Sequence, residues 1–218
     1  MEGENRTFPQ LETRRMKLRK PLDKDRRGLY LLSRNEQVMR YYGMEPFKSE
    51  QDADAEIRGF NQLYNESRGI RWIITEKDGD NYVGDIGYHN HVGKHERAEV
   101  GFKLAPERWR KGIMTEVLHK VLEYGFESIG LNRIEALVDP RNVPSMKLLE
   151  KTGFIAEGIL REYEYERGGF VDLAMLSLLA HEWRVRTGPW NRTNSGDRTS
   201  QDSRPGGCRR GMRGHENT

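Results

Sequence analysis

Between Pro21 and Gly69 apolar residues recur at helical spacing, and beyond Gly69 they recur at every second position. Before that stretch, residues 11–19 alternate in their second half, with Met16 and Leu18 set among Arg15, Lys17 and Arg19. This predicts an opening strand that Pro21 stops. Asp23 or Asp25 then caps a helix with Leu31, Leu32, Val38 and Met39 on one side, ended by Gly43 and Pro46. Ser49 caps a second helix carrying Ala53, Ile57, Phe60 and Leu63. Glu50, Asp52 and Asp54 crowd its start, where the helix dipole favours negative charge.

The period-two region reads as strands at 71–76, 82–88 and 99–104. Asp78-Gly79-Asp80-Asn81 and Gly93-Lys94-His95 supply the turns of an antiparallel meander. A helix over about 115–127 follows, with Val117, Leu118, Val121 and Leu122 inward. Next come a strand at 133–138, a short helix over about 144–151, and two β-rich runs, 158–166 and 170–178, joined at Gly168-Gly169. The sum is an α/β (α+β) domain, a mixed, mostly antiparallel six- to seven-stranded sheet with about four helices and no internal repeat.

Length and charge narrow the class. A chain of 218 residues with 35% hydrophobic content suits one well-buried domain, placed at 10–183. No apolar run reaches the ~18 residues of a membrane span, and the polar N-terminus has no signal-peptide centre, so the expectation is a soluble, cytoplasmic protein. Cys208 is the single cysteine, which excludes an internal disulfide and a thiolate metal cage. Residues 184–218 hold eight arginines, no lysine and three acids, a net of +5. Against +3 for the whole chain, that leaves about −2 for residues 1–183. With six glycines and few apolar residues, 184–218 reads as a basic, disordered tail. It is either a solvated extension or a segment able to touch RNA or another anionic surface.

Candidate chemistry begins at residues 106–116, Pro-Glu-Arg-Trp-Arg-Lys-Gly-Ile-Met-Thr-Glu, a glycine-bearing loop running from a strand into a helix. Helix-start N–H groups lack intrahelical partners and the dipole adds about half a positive charge, so such a loop suits a pyrophosphate. Arg108, Arg110 and Lys111 add formal charge there, although basic residues on a strand-to-helix turn are often merely solvated. His89, His91 and His95 form the one imidazole cluster. His89 and His91 share a strand face, but no third ligand stands at an evident spacing, and no metal is expected.

Several landmarks occur in order: Val-Gly-Phe-Lys-Leu at 100–104, Trp-Arg-Lys-Gly-Ile-Met-Thr-Glu at 109–116, Val-Asp-Pro-Arg-Asn-Val-Pro-Ser at 138–145, Glu-Lys-Thr-Gly-Phe at 150–154 and Gly-Ile-Leu-Arg-Glu-Tyr at 158–163. This order resembles that of the GCN5-related N-acetyltransferases (GNAT), and the opening at 11–19 is similar too. Within that superfamily it looks like the branch of ribosomal-protein alanine and spermidine acetyltransferases. The resemblance implies the GNAT fold and acetyl-CoA as co-substrate, with Trp109, Arg110, Lys111, Gly112, Ile113, Met114 and Thr115 around its pyrophosphate. Trp109 and Met114 depart from the family's polar first and small last residue. Phe102, Lys103 and Leu104 would end a splayed strand that pairs with the pantetheine arm. Asn142 would turn toward that arm, or serve as a loop residue satisfying its own backbone.

Acetyl transfer to an amine needs the acceptor deprotonated, the thioester carbonyl polarised and a proton returned to the thiolate. Many relatives use a tyrosine for the last step, but Leu149 stands at that position. The resemblance instead implies Ser145 as proton donor and Glu164 as general base. The competing reading makes Ser145 a helix-start residue and Glu164 one of the solvated acids of an alternating strand, with Tyr163 and Tyr165 as packing residues. The implied acceptor is a primary amine. An α-amino group, with a pKa near ~8 against ~10.4 for lysine, is the more readily deprotonated, which favours a protein N-terminus. The acids Glu162, Glu164, Glu166 and Asp172 would equally suit a polyamine or an aminoglycoside. A noncatalytic acetyl-CoA-binding module is the alternative from another class, and a homodimer is left open.

Overall fold

The computed structural model describes residues 7–187. Its strands are β1 (Leu11–Glu12), β2 (Met16–Arg19), β3 (Ile70–Glu76), β4 (Tyr82–Val92), β5 (Arg97–Leu104), β6 (Arg133–Val138), β7 (Ile155–Glu166) and β8 (Gly169–Leu179). They form one sheet in the order β1-β2-β3-β4-β5-β6-β8-β7. Every neighbouring pair is antiparallel except β5 and β6. The α-helices are α1 (Arg26–Ser33), α2 (Glu36–Met39), α3 (Glu50–Asn65), α4 (Ile113–Glu123), α5 (Val143–Thr152) and α6 (Ala180–Thr187).

Among the described residues there are thus eight strands and six helices, against an expectation of six or seven and about four. The opening strand is a hairpin, because Thr13 and Met16 exchange hydrogen bonds that reverse the chain and pair Leu11 with Leu18. The first expected helix is two. The Asn35 side chain accepts from Gln37 N at 2.9 Å, restarting the helix as α2. Leu29 and Leu32 consequently face inward, and Leu31 is half exposed. The added C-terminal helix, α6, carries the expected tail boundary past residue 184. Buried Trp183 anchors it, and Thr187 Oγ1 donates to Trp183 O. The rest of that tail, with the expected RNA contact, lies outside the described residues.

The remaining elements follow local chemistry. Ser49 and Asp52 form a capping box at the start of α3, with Asp52 accepting from Ser49 N at 2.9 Å. Helix α4 widens into a π-turn over Tyr124–Ile129. Tyr88 on β4 donates to Val121 O at 2.7 Å, so this carbonyl, whose α-helical partner would be the Gly125 N–H, is engaged from outside the helix.

Alternation along the strands makes two faces. Trp72, Ile86, Tyr88 and Val100 pack with Val117, Leu118, Val121 and Leu122 of α4 and with Leu149 of α5 in the main core. On the other face, Leu29 of α1 with Ala53 and Ile57 of α3 make a smaller cluster. No helix among the described residues is long and apolar enough to cross a membrane.

At the far edge, Glu157 on β7 takes both Arg133 Nη atoms, at 2.8 and 2.6 Å, and Ser177 Oγ at 2.6 Å. Arg133 first, then Ser177, hold its carboxyl down at about 2. The folded-state pKa lies below the unfolded value of about 4.3, so this stabilisation is complete above that value and is lost as pH falls toward the folded one. Partial exposure keeps it small. Urea midpoints of the wild type and Glu157→Gln should therefore differ at pH ~6 and converge as pH falls from ~4 toward ~2.

Candidate active site

Strands β5 and β6 share only three pairs, Arg97 with Arg133, Ala98 with Ile134 and Glu99 with Glu135. Past that point β5 stays with β4 and β6 stays with β8, so residues 100–103 and 136–138 turn edges without a strand partner toward each other. Peptide groups in this position need partners, and an extended, amide-bearing ligand supplies them. A groove of about 370 Å³ opens at the divergence, with Phe102, Val138, Asn142, Ser145 and Glu164 in its wall.

One end of the groove rests on a network of buried charges. Arg71 donates through Nε to Asp85 at 2.7 Å and through Nη1 to Gly101 O at 2.9 Å, and through Nη2 it reaches Tyr42. Lys103 Nζ lies 3.1 Å from Glu56 Oε1 and from Ser33 Oγ, and 3.7 Å from Asp85. Burial alone would raise the Asp85 carboxyl, but Lys103 and Arg71 outweigh it and hold the group below the ordinary carboxylate range. Burial lifts Glu56, and its Oε2 is an unpartnered buried atom of a groove-lining residue. The Lys103 side chain therefore faces away from the divergent edge, into the layer under α1 and α3. Leu104 is buried in the core. Of the three strand-end residues expected at the co-substrate, Phe102 alone lines the groove.

The acidic end joins segments distant in sequence. Gly43 has φ +76, and a Cβ there would stand 3.3 Å from Glu166 Oε1 and 3.5 Å from Glu164 Oε2. Only glycine accepts this backbone and leaves the two carboxyls room. Glu166 is raised by burial, then by the neighbouring Glu164 and Asp139 charges. The expected solvated row of acids is broken by a register shift between Leu160 and Glu164. Glu162, at φ +51, there donates its N–H to Asp172. Tyr163 and Tyr165 are exposed instead of packed, since β7 is the sheet's edge; Tyr165 meets Phe170 edge-on, at 5.2 Å.

Ser145 and Asn142 meet at the start of α5, where Asn142 Oδ1 accepts from Ser145 N at 3.3 Å. Asn142 is thus a helix cap and a groove residue at once. Leu149, where many relatives have tyrosine, is fully buried.

The loop at 109–115 does not line this groove. It forms the start of α4, with Arg110 at φ +59 and Gly112 at φ +71. The first-turn N–H groups of Ile113, Met114 and Thr115 have no intrahelical acceptors. Trp109 is a structural anchor, its Nε1 donating to Leu104 O at 2.7 Å. From the opening hairpin, Arg15 donates to Glu116 at 2.7 Å and to Lys111 O at 2.9 Å, which fixes the loop from behind. Arg110 and Lys111 are exposed, and Ile113 and Met114 are buried.

The two clustered histidines separate. A bulge with Asn90 at φ +49 ends the alternation. His89 lies 3.3 Å from Glu99 in the groove, whereas His91 contacts Ser67 O at 3.1 Å in a different small cavity. Sequence reasoning missed Tyr42, Glu56 and Arg71, which sit at unremarkable positions of a loop, a helix and a strand; Glu166 was legible as part of the acidic run.

Comparison with known proteins agrees with this architecture. The family model described as an acetyltransferase (GNAT) domain matches residues 15–155. The uncharacterized N-acetyltransferase YoaA of Bacillus subtilis is 44% identical over 172 residues, covering 79% of this chain and 97% of that protein. Spermidine N(1)-acetyltransferase of Escherichia coli is 28% identical over 170 residues, covering 77% and 88%. The structure of Mycobacterium smegmatis RimJ in complex with CoA-disulfide superposes with a TM-score of 0.69 at 25% identity, covering 79% and 89%. This chain belongs to the GNAT acetyltransferase family, and it is an N-acetyltransferase.

Removing Asp85 would leave Arg71 and Lys103 buried without their shared counter-ion. Asp85→Ala should therefore destabilise the fold by about 3–5 kcal/mol in urea unfolding.

Proposed function

We propose that this chain transfers the acetyl group of acetyl-CoA to a primary amine, and that the α-amino group of a protein N-terminus is its acceptor. The observation that carries this reading is that Ser145 and Glu164, from separate parts of the chain, line the groove into which the unpaired edges of β5 and β6 open. Those edges suit the amide-bearing arm of CoA, and the start of α4 suits its pyrophosphate. The thioester supplies an activated acetyl group.

Glu164, with Glu166 beside it, holds the acceptor ammonium and takes one proton, directly or through a water. The freed lone pair attacks the carbonyl carbon. As the C–N bond forms and the C–S bond breaks, the nitrogen's second proton passes to the Ser145 hydroxyl while Ser145 gives its own proton to the departing sulfur. None of these steps calls for a metal. A small polycationic amine is the second reading, favoured by the groove's carboxylates: Glu56, Glu99, Asp139, Glu164 and Glu166.

CoA thiol release near pH ~8, where an α-amino group is about half deprotonated, tests both readings. The acceptors are alanine- and serine-terminal peptides, spermidine and an aminoglycoside, and mass spectrometry identifies each product. Peptide-dependent release is expected. Release with spermidine or the aminoglycoside alone would replace the first reading with the second, and acetyl-CoA binding without any turnover would leave a binding module. Glu164→Gln and Ser145→Ala should each lower kcat by about 10²-fold or more at saturating acetyl-CoA. Near wild-type turnover in either variant would remove that residue from the mechanism.

A further inference from the structure

Tyr42 lies in the segment between α2 and α3 and forms part of the groove wall next to Gly43. Its hydroxyl oxygen accepts from Arg71 Nη2. Its ring lies under the Lys103 ammonium, with 4.7 Å from Nζ to the centroid. Arg71 is itself held by Asp85 and Gly101 O, and Lys103 by Glu56 and Ser33, so the phenol is clamped at its oxygen and across its face. The flanking loop is tied down as well. Arg167 Nη2 donates to Met39 O at 3.0 Å, and Arg141 stands 5.8 Å over the Tyr41 ring.

A guanidinium can only donate, so the Tyr42 oxygen acts as acceptor toward Arg71 and its own O–H proton points elsewhere. Among the described residues that proton has no acceptor. Burial raises the hydroxyl above its ordinary value despite the neighbouring Arg71 and Lys103 charges, which keeps it a donor at neutral pH. The donation from Arg71 polarises the O–H and strengthens the bond it can make in turn. The groove's carboxylates suit ammonium groups; of the donors in its wall, Arg71 is taken up by Asp85, Gly101 O and Tyr42, His89 faces Glu99, Tyr41 lies under Arg141, and Asn142 and Ser145 stand at the start of α5. The next residue, Gly43, packs against the Glu164 and Glu166 carboxyls, so the free phenolic proton and the proposed base flank one end of the groove.

We infer that Tyr42 is a specificity-determining residue, its hydroxyl donating a hydrogen bond to the carbonyl oxygen adjacent to the acceptor's amine. The inference rests on the transfer reading above and deepens it. An α-aminoacyl acceptor presents an ammonium for Glu164 and a carbonyl oxygen for Tyr42 side by side, whereas an alkylamine offers only the first. Losing that oxygen leaves the clamped phenol without a partner, and this discriminates against the simpler amine.

The test compares an alanine-terminal peptide with its reduced isostere, in which the first carbonyl is a methylene, using the full-length wild type and Tyr42→Phe. The wild type should favour the peptide in kcat/KM by about five- to tenfold, the size of one neutral hydrogen bond, beyond the part due to the more basic amine of the isostere. Tyr42→Phe should cut that preference by about five- to tenfold by slowing the peptide alone, with the KM for acetyl-CoA unchanged. Equal losses on both acceptors would assign Tyr42 to loop structure and overturn the inference. So would an unchanged preference in the variant, or a wild type indifferent to the carbonyl. A wild type silent with every amine would instead sink the transfer reading itself, so the two failures are distinguishable. Thermal unfolding of both proteins separates a folding defect from a binding one, since misfolding cannot change the ratio between acceptors.

Discussion

The site depends on a parallel contact that stops early. In a sheet otherwise made of antiparallel neighbours, β5 and β6 come from opposite sides of the α4 crossover and pair through only three residues. Each strand then follows its antiparallel partner, and the two halves of the sheet part. The divergence leaves peptide edges without a strand partner facing a groove, which is costly unless something extended occupies it. It also sets the depth at which residues from α5, β7 and the segment before α3 can meet.

The charge network beneath the groove makes the divergence rigid at one end. Arg71, Asp85, Lys103 and Glu56 come from three adjacent strands and a helix, and each is needed to offset the burial of the others. An apolar filling would hold the sheet against α3 equally well, but it would not aim a guanidinium at the Tyr42 oxygen. The network therefore links the packing of the α1–α3 layer to the placement of a polar group on the groove wall. Gly43 serves the same purpose from the other side, since its left-handed backbone and missing side chain admit the Glu164 and Glu166 carboxyls.

Much of the architecture was legible in the chain. Period-two runs placed β3, β4, β5, β6 and β8, the Ser49 and Asp52 pair placed α3, and the order of landmarks from Val100 to Tyr163 carried the family. Errors arose where a local pattern had two solutions. A run alternating only in its second half folded as a hairpin that reverses between Thr13 and Met16, and an apolar stripe broke at Asn35 because that side chain caps a new helix. A bulge at Asn90 parted two histidines that strict alternation would have put together.

The sequence by itself determined the period of most elements, the Ser49 and Asp52 cap, the basic loop before α4 and the presence of Ser145 and Glu164 at matching spacings, because these depend on neighbours within a few residues; Asp25, expected to cap α1, accepts from Arg19 and Leu22 N instead. Tertiary structure alone decided which polar residues share a wall. Tyr42 and Arg71, or Gly43 and Glu166, are brought together by strand order and register, which arise from the packing of the whole sheet. It also decided that Lys103 turns away from the divergent edge and that the Trp109 indole reaches back to Leu104 O. The side to which a strand residue points is a parity, and one bulge or one early end of pairing reverses or redirects it.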